Sequence, residues 1–577
     1  MTLWCLFVAK VSVPLRIGIN LRKLWLKYSA LPHRYNFPCS MRSCPSLIRL
    51  LIVATFLGLV TACSRVAPID EARKKGLLLI TVGSEPSTLD PHRCTGSPES
   101  FIMLALWEPL INWDESATGY VPAAAASWDI SPDGRIYTFH LRPDAKWSNG
   151  DPVTALDWQQ SLIRWITPSI AAELGNFADP ILGAYAFRTG ESTDATTVGI
   201  RAIDTHILEF ELTEPDVMFL DRLTGYPWFP LHRASVEAAG GFHNPMADFL
   251  RPGVLVSNGP FTMTEWKYGQ YVEVGRNPHY HRETELSGIR FVAFDNMDTS
   301  ERAFRSGQLH ITDGVPASKM EAYRESQNPA LISYPRVGTR YLNINTTRAP
   351  FDDVRVRRAF ALTINREQMV NIVLRTGDQP AYSLVGPIKG KYEPTLKLEE
   401  SIEEARQLLA DAGYPNGTGF PPVEYLYNTL DRNRQVAEAL QQMWKSALNV
   451  EVSLRNEEWK VFLETRRQME HQISRAGWLP FSPEPAELYE LNSGWSDSNE
   501  TGWSDPEFDR VLHTARREMD PTKRYALYHR LDEILLRDQP VIPFGFYART
   551  RLIHPSVKGW PANHVEGIVW TRVGFQW

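Results

Sequence analysis

Between Tyr137 and Ala155 the chain spells out one supersecondary unit almost residue by residue. Tyr137 to Leu141 alternates apolar and polar positions as a strand does. Pro143-Asp144 and Asn149-Gly150-Asp151-Pro152 are turn sequences that fix the loop around Trp147, and Thr154 is placed to cap a helix beginning near Ala155. The same mixture of elements continues along the chain. Val198 to Leu212 alternates as a hairpin, and Tyr271 to Gly275 reads as a short strand. Ser401 to Ala412 reads as a helix with a Ser401/Glu404 capping box, ending at Gly413. A helix over Arg434 to Leu448 runs into a strand over Val450 to Leu454. This order predicts α/β lobes with a mixed sheet. A chain of 577 residues exceeds what one core supports, so two or three domains are expected. No internal repeat, low-complexity tract or long charge block interrupts it.

The N-terminus bears on the compartment. Residues 1–62 hold eight Lys or Arg and no Asp or Glu, so the remainder carries 53 basic against 67 acidic side chains, a net charge of −14. Arg42 and Arg49 precede an apolar run from Leu50 to Val60, broken only by Thr55 and Gly58, and Val60-Thr61-Ala62-Cys63 puts small residues before a cysteine. Such a run is too short to span a bilayer and has the form of a secretory signal. Its ending looks like a lipobox. That predicts cleavage before Cys63 and a lipid on its thiol, with Ser64 to Lys75 as a flexible spacer and the membrane reached through the lipid alone. The alternative is an ordinary secreted chain in which Cys63 is incidental. Residues 1–40 are longer than a charged leader needs, which points to Met41 as the true start. Cys5, Cys39 and Cys44 then leave with the leader, Cys94 stands alone, and no structural disulfide is expected.

Motifs for catalysis are missing. G-x-x-x-x-G-K-[ST], H-E-x-x-H, C-x-x-C and G-x-S-x-G do not occur, so an enzyme has no sequence support and no cofactor is expected. His279-Tyr280-His281 puts two imidazoles two apart beside Pro278, with no third ligand nearby, and reads as solvated surface rather than a metal site. Asp352-Asp353 and Glu403-Glu404 are neighbours that do not share a helix face, so they read as caps or solvated charges. An acidic body without a basic stripe does not suit nucleic acid. Binding chemistry is densest over Glu458 to Trp478, where Trp459, Arg466, Arg475 and Trp478 interleave aromatic and guanidinium groups. Read without further context, the tryptophans are core residues and Arg466 is a surface charge.

A series of segments gives these residues a context. L-R-P-D-A-K-W-S-N-G-D-P-V-T-A (141–155) follows S-P-D-G-R-I-Y-T-F-H (131–140). Before and after it, in order, come E-P-S-T-L-D-P-H (85–92), W-E-P-L (107–110), N-G-P-F (258–261), P-F-D-D-V-R-V-R-R-A-F (350–360), L-L-A-D-A-G-Y-P-N-G (408–417), E-W-K-V-F-L-E-T-R (458–466), R-A-G-W (475–478) and P-V-I-P-F (540–544). In content and order, from about Leu78 to the C-terminus, the chain resembles the oligopeptide-binding, or extracellular solute-binding family 5, proteins. The resemblance implies a periplasmic-binding-protein-like two-lobe clamp with an inserted domain, three non-contiguous domains in all. Lobe 1 is expected at 63–107, 232–335 and 549–577, the inserted domain at 108–231, and lobe 2 at 336–548. Hinge crossings are expected near Tyr341 to Asn345 and Phe544 to Tyr547. The implied protein is a monomer, not an enzyme, that carries a short peptide or related solute to ABC transporter permease subunits.

By motif, the resemblance also assigns a site. Arg475 is expected to pair with a peptide's C-terminal carboxylate, Trp459, Trp478 and Arg466 to line side-chain pockets, and the backbone at Gly477 to pair with the peptide as an added strand; Tyr547 and Ser97 are further cleft positions. One position departs from the pattern. Peptide binders of this family carry an Asp two or three residues after R-A-G-W that holds the ligand's α-ammonium. Here W-L-P-F-S-P-E-P puts Phe481 at that place, with Glu484 the nearest acid. An aromatic does not replace a buried countercharge. Either Glu484 or another acid takes the role, or the ligand is a modified peptide, such as a murein peptide, or another solute without a free amine there.

Overall fold

The computed structural model describes residues 67–577 except 95, 295, 481, 497, 566 and 577; the side chains of Ser97 and Lys460 are also outside the described set. Met41, Cys63 and Phe481 therefore lie outside the described residues. The fold is α/β, a two-lobe clamp with a further inserted domain. In the first sheet Leu77–Gly83 runs parallel to Gly288–Ala293, and Tyr271–Arg276 and Phe261–Lys267 continue it antiparallel. Its core joins Leu78, Ile80, Trp107, Phe229, Phe291, Ile553 and Trp570, drawn from early, middle and late chain. A second core, around Tyr137, Trp158, Trp165, Phe210 and Trp228, backs an antiparallel sheet of Ala125–Ile130, Ile136–Leu141, Ile207–Glu211 and Ile200–Asp204.

Several motif residues turn out to be fastenings between segments. Arg164 donates to both carboxylate oxygens of Asp90 (2.7 and 3.2 Å), to Nδ1 of His92 (2.8 Å) and to the Phe242 carbonyl (2.6 Å), all buried. The Glu108 N–H donates to the Asn258 side chain, which returns a bond to the Glu108 carbonyl, both at 3.1 Å. Gly259 packs so tightly on this segment that a Cβ there would lie 2.5 Å from the Leu106 carbonyl carbon. The loop before Ala155–Ile166 forms as its sequence requires. Gly150 has φ 95°, Trp147 is fully buried with its ring 5.4 Å from His232, and Thr154 closes a capping box with Asp157.

Three expectations need correction. The described part of the stretch from Ser64 to Lys75 is not a flexible spacer: Pro68–Lys74 is a helix whose Ile69 and Ala72 are buried with Leu79, Ala303 and Leu309. His281 is not on a solvated surface: its ring is buried and meets the Glu108 carboxylate at 2.8 Å, while the Tyr280 hydroxyl donates to the same group at 2.6 Å. A buried acid requires partners, and these two residues supply them. Ser401 caps Ile402–Asp411 by accepting from the Glu404 N–H, but the box stays half made. The Ser401 N–H donates to the Leu362 carbonyl, and the Glu404 carboxylate pairs with Arg358 at 3.2 Å.

The third sheet positions the site. Its strands are β1 (Leu331–Ile344), β2 (Gln379–Pro380), β3 (Val423–Asn428), β4 (Val452–Glu457), β5 (Ile473–Trp478) and β6 (Val541–Leu552), in the spatial order β2-β6-β1-β5-β3-β4. Helix α1 (Asp431–Leu448) links β3 to β4, and α2 (Trp459–Arg467) links β4 to β5. Val436, Leu440 and Trp444 of α1 share a core with Tyr425 and Tyr427 of β3. On the other face Tyr341 and Ala476 join Tyr489, Phe508 and Leu512. β1 and β6 are long partners whose ladder shifts register between Pro335 and Thr339.

Buried neutral histidines make stability pH-dependent. His92 is the clearest case, because its Nδ1 accepts from Arg164 and its Nε2 meets the Phe229 carbonyl at 3.1 Å, leaving no place for a second proton. Burial, then the Arg164 charge, pushes it down to about 3. Burial also pushes His310, His471 and His564 down to about 4. Unfolded histidine titrates near ~6.5, so below that pH the unfolded chain takes up protons that the native state refuses. Their contribution is complete above pH ~6.5 and declines as pH falls towards ~4, by up to ~1.4 kcal/mol per pH unit for each ring. Asp532 opposes them: burial raises it to about 6, so its contribution is present at low pH and lost as pH rises through that value. Urea unfolding at a series of pH values should therefore show a net fall in stability from pH ~6.5 to ~4; a flat profile contradicts the assignment of these rings as neutral.

Candidate ligand-binding site

β5 has a partner on both sides for only part of its length. Against β1 it pairs antiparallel without a shift from Ile344↔Ile473 to Thr339↔Trp478. Against β3 it pairs parallel only at Tyr425↔Ile473 and Leu426↔Ser474. Past Ser474 the β3 side of β5 has no strand partner among the described residues and is an open edge. The Asn345 N–H donates to the Gln472 carbonyl at 2.9 Å, so by antiparallel alternation Gly477 turns its N–H and C=O away from β1, towards that edge. This is the geometry that accepts an added strand.

The side chains beside the edge follow from the register. Arg340 lies opposite Gly477 on one side and Gly545 on the other, which puts Arg340, Arg475, Gly477 and Tyr547 on one face. The Arg340 guanidinium carbon sits 4.0 Å from the Tyr547 ring centroid, and its Nε donates to Asp378 at 2.5 Å. The Asp378 carboxylate also accepts from the Ala548 N–H at 3.1 Å. Tyr547 reaches across to Gly477, where a Cβ would lie 2.5 Å from its hydroxyl. Tyr425 lies beneath, fully buried, with no partner for its hydroxyl among the described residues.

Arg475 is half-buried and makes no side-chain hydrogen bond or ion pair among the described residues. Burial pushes its pKa down, the nearby Tyr547 works the other way, and the like charges of Arg340 and Arg466 add to the depression. An unpaired guanidinium beside an open strand edge fits a carboxylate at the end of an extended ligand. A cavity of about 830 Å³ opens next to Tyr547, with Pro335, Gly338, Tyr382, Phe546 and His564 among its walls. That volume suits a small ligand.

The structure thus brings Arg475, Gly477 and Tyr547 together, and it separates the other expected residues from them. Arg466 is on α2, held by an ion pair with Glu500, whose carboxylate also accepts from the Asn343 side chain at 3.0 Å. Trp478 falls on the opposite face of β5, packed against the Tyr489–Phe508 core with its indole N–H on Glu487 at 3.0 Å. Trp459 is 45% exposed and stacks on Phe462 at 5.8 Å. Ser97 begins the helix Ser97–Leu106, but its side chain is not described. Glu484 is buried and occupied: Arg524 donates to it at 2.9 Å and the Tyr528 hydroxyl at 2.7 Å. Sequence reasoning passed over Arg340, Asp378 and Arg432. Arg340 carried a signal, since it directly precedes the stretch expected to be a hinge. Arg432 carried none that separates it from a solvated helix residue.

The family model for bacterial extracellular solute-binding proteins, family 5, matches residues 119–500. The periplasmic murein peptide-binding protein of Escherichia coli K12 is 31% identical over 510 residues, covering 86% of this chain and 93% of that one. The periplasmic oligopeptide-binding protein of the same organism is 32% identical over 539 residues, covering 90% and 96%. The unliganded open form of the murein tripeptide-binding protein superposes with a TM-score of 0.75 at 30% identity, covering 87% of this chain and 98% of that one. The chain belongs to the family 5 extracellular solute-binding proteins. The family is a substrate-binding, non-catalytic component of transport.

Because Tyr547 occupies the space over Gly477, Gly477→Ala should overpack the sheet and cost about 1–3 kcal/mol. Tyr547→Phe removes the offending hydroxyl and should recover part of that cost in the double variant. Urea unfolding of the four proteins checks this; strictly additive costs would show that the two residues do not touch.

Proposed function

We propose that the protein is an extracytoplasmic, lipid-anchored, non-enzymatic binding protein that captures short peptides and presents them, closed in, to an ABC permease. The observation that carries the reading is the open edge of β5 at Gly477 beside the unpaired Arg475. Backbone pairing along the edge is indifferent to side-chain identity, and the guanidinium marks where the chain end belongs. Trp478 and Arg466 then act from behind the edge, by packing and by the Glu500 ion pair, while the half-exposed Trp459 is left to a side-chain pocket, and closure brings the lobes onto the ligand. A modified peptide is the second reading. It is favoured by the murein peptide-binding relative and by the engagement of Glu484, which leaves that acid unavailable for an α-ammonium.

Arg475→Ala removes the charge that would hold a ligand carboxylate, and affinity for short peptides should fall by roughly 2–5 kcal/mol, mainly through faster dissociation. Calorimetry and stopped-flow release measure it, and an unchanged affinity would remove Arg475 from the site. Free and N-acetylated forms of one peptide separate the two readings: more than about tenfold preference for the free form, about 1.4 kcal/mol, favours an ordinary oligopeptide, and no preference favours an amine-independent ligand.

The membrane attachment is tested separately. Among the described residues no helix is long and apolar enough to cross a membrane. Cys63→Ser should release the protein from the membrane fraction and abolish incorporation of labelled palmitate. Retention with the label unchanged would show that Cys63 is not the anchor.

A further inference from the structure

Arg432 has no part in the reading above, and its position is unusual for a charge. It is the second residue of α1, where unpaired first-turn N–H groups and the helix dipole disfavour a cation, and Leu430 offers no side-chain cap. Arg434, two residues on, behaves as an exposed helix arginine does, pairing with Glu438 at 2.9 Å and approaching Asp431 at 3.8 Å. Arg432 instead stays half-buried. Helix α1 starts just past the C-terminal end of β3, which pairs parallel with β5, and packs on the face that holds Tyr425 and Ile473. Arg432 and Arg475 therefore lie at the same end and on the same face of the sheet, where Arg340, Tyr547 and Arg475 act on the charge of Arg432. The acid among these neighbours is Asp378, already engaged by Arg340 and the Ala548 N–H. Among the described residues Arg432 makes no side-chain hydrogen bond or ion pair. Burial and the adjacent guanidinium groups push its pKa down. On the Arg475 face Arg340 is paired with Asp378, and among the described residues Arg432 and Arg475 have no acid of their own; Arg466 is held by Glu500, which reaches Asn343 on the other face of β1.

We propose that Arg432 and Arg475 form a two-anion site, so that the preferred ligand is a short peptide whose last residue carries a second carboxylate beside its α-carboxylate. The inference rests on the peptide-binding reading and narrows it to a ligand class. A single carboxylate between the two arginines satisfies one charge and leaves the other desolvated beside it. A diacid end group satisfies both.

The test is calorimetry with Ala-Ala-Glu and Ala-Ala-Gln, which share a backbone and differ by one charge. The native protein should prefer the Glu peptide by about tenfold or more, and Arg432→Gln should bring the ratio towards unity. Arg475→Gln should weaken both peptides. Equal binding by the native protein, or a ratio that survives Arg432→Gln, overturns the two-anion site while leaving peptide binding intact. If neither peptide binds the native protein, the peptide reading falls and this inference falls with it. Thermal melting supplies the control: removing a like charge from a crowded helix start should leave the melting temperature unchanged or raise it. A lower melting temperature with the ratio preserved would mark Arg432 as structural and overturn the proposal.

Discussion

The site exists because two parallel strands part early. β3 and β5 pair at two positions, and the reason lies at the end of β3. There the Asn428 carbonyl and side chain accept from the Asn433 amide (3.2 and 2.7 Å), and the Thr429 N–H and hydroxyl both donate to the Glu457 carbonyl of β4 (2.7 and 3.0 Å). β3 is drawn towards β4 and into the first turn of α1, so among the described residues no strand pairs with β5 on that side beyond Ser474. An exposed sheet edge is a hazard for aggregation. Here it is short, sits below the ring of Tyr547, and carries an arginine at its start. Those are also the features of a groove that accepts one extended chain and ends it with a charge.

Unpaired guanidinium groups in a half-buried face are a cost that folding alone does not explain. Arg340 shows what the fold does when it can, with a carboxylate on one side and an aromatic ring on the other. Arg466 is satisfied in the same manner by Glu500. That two further arginines have no acid partner among the described residues, while the sheet around them is otherwise well fastened, fits the proposed partner that arrives from outside. Binding sites commonly trade stability for function in this way.

The sequence made local structure legible wherever chemistry was local. Thr154 capped its helix, Asn149 to Pro152 turned, and the Val198–Leu212 hairpin formed because each depends on neighbours within a few residues. Long-range partners were not legible. His281 looked exposed because its acid, Glu108, lies far back in the chain, and the Ser401 box was broken by Leu362 and Arg358 from another helix. The candidate site divides the same way. Motif resemblance picked out Arg475, Gly477 and Tyr547, which the register brings together; it could not say that Trp478, three residues after Arg475, must face the other side of a strand. Arg432 was invisible because its meaning depends on three strands converging on a helix start.

The two ends of the groove are unequal, and this bears on ligand choice. At the amino end expected from the family pattern, Glu484 is bound by Arg524 and Tyr528, and Asp221 is buried with Tyr120 and Ser482 on its carboxylate and Lys391 at 3.8 Å. Burial raises the pKa of both acids, which weakens them further as partners for an ammonium. At the proposed carboxyl end two guanidinium groups, those of Arg432 and Arg475, have no acid partner among the described residues. On the proposed reading, a ligand gripped chiefly by its carboxyl end would gain little from a free amine, and loss of terminal negative charge would weaken it more than N-terminal modification. On the same proposal the asymmetry would also set direction. An extended peptide entered backwards would put its ammonium against Arg475 and Arg432, a like-charge contact in a partly dry site, so charge repulsion at one end settles the polarity of a strand that backbone pairing alone would accept either way.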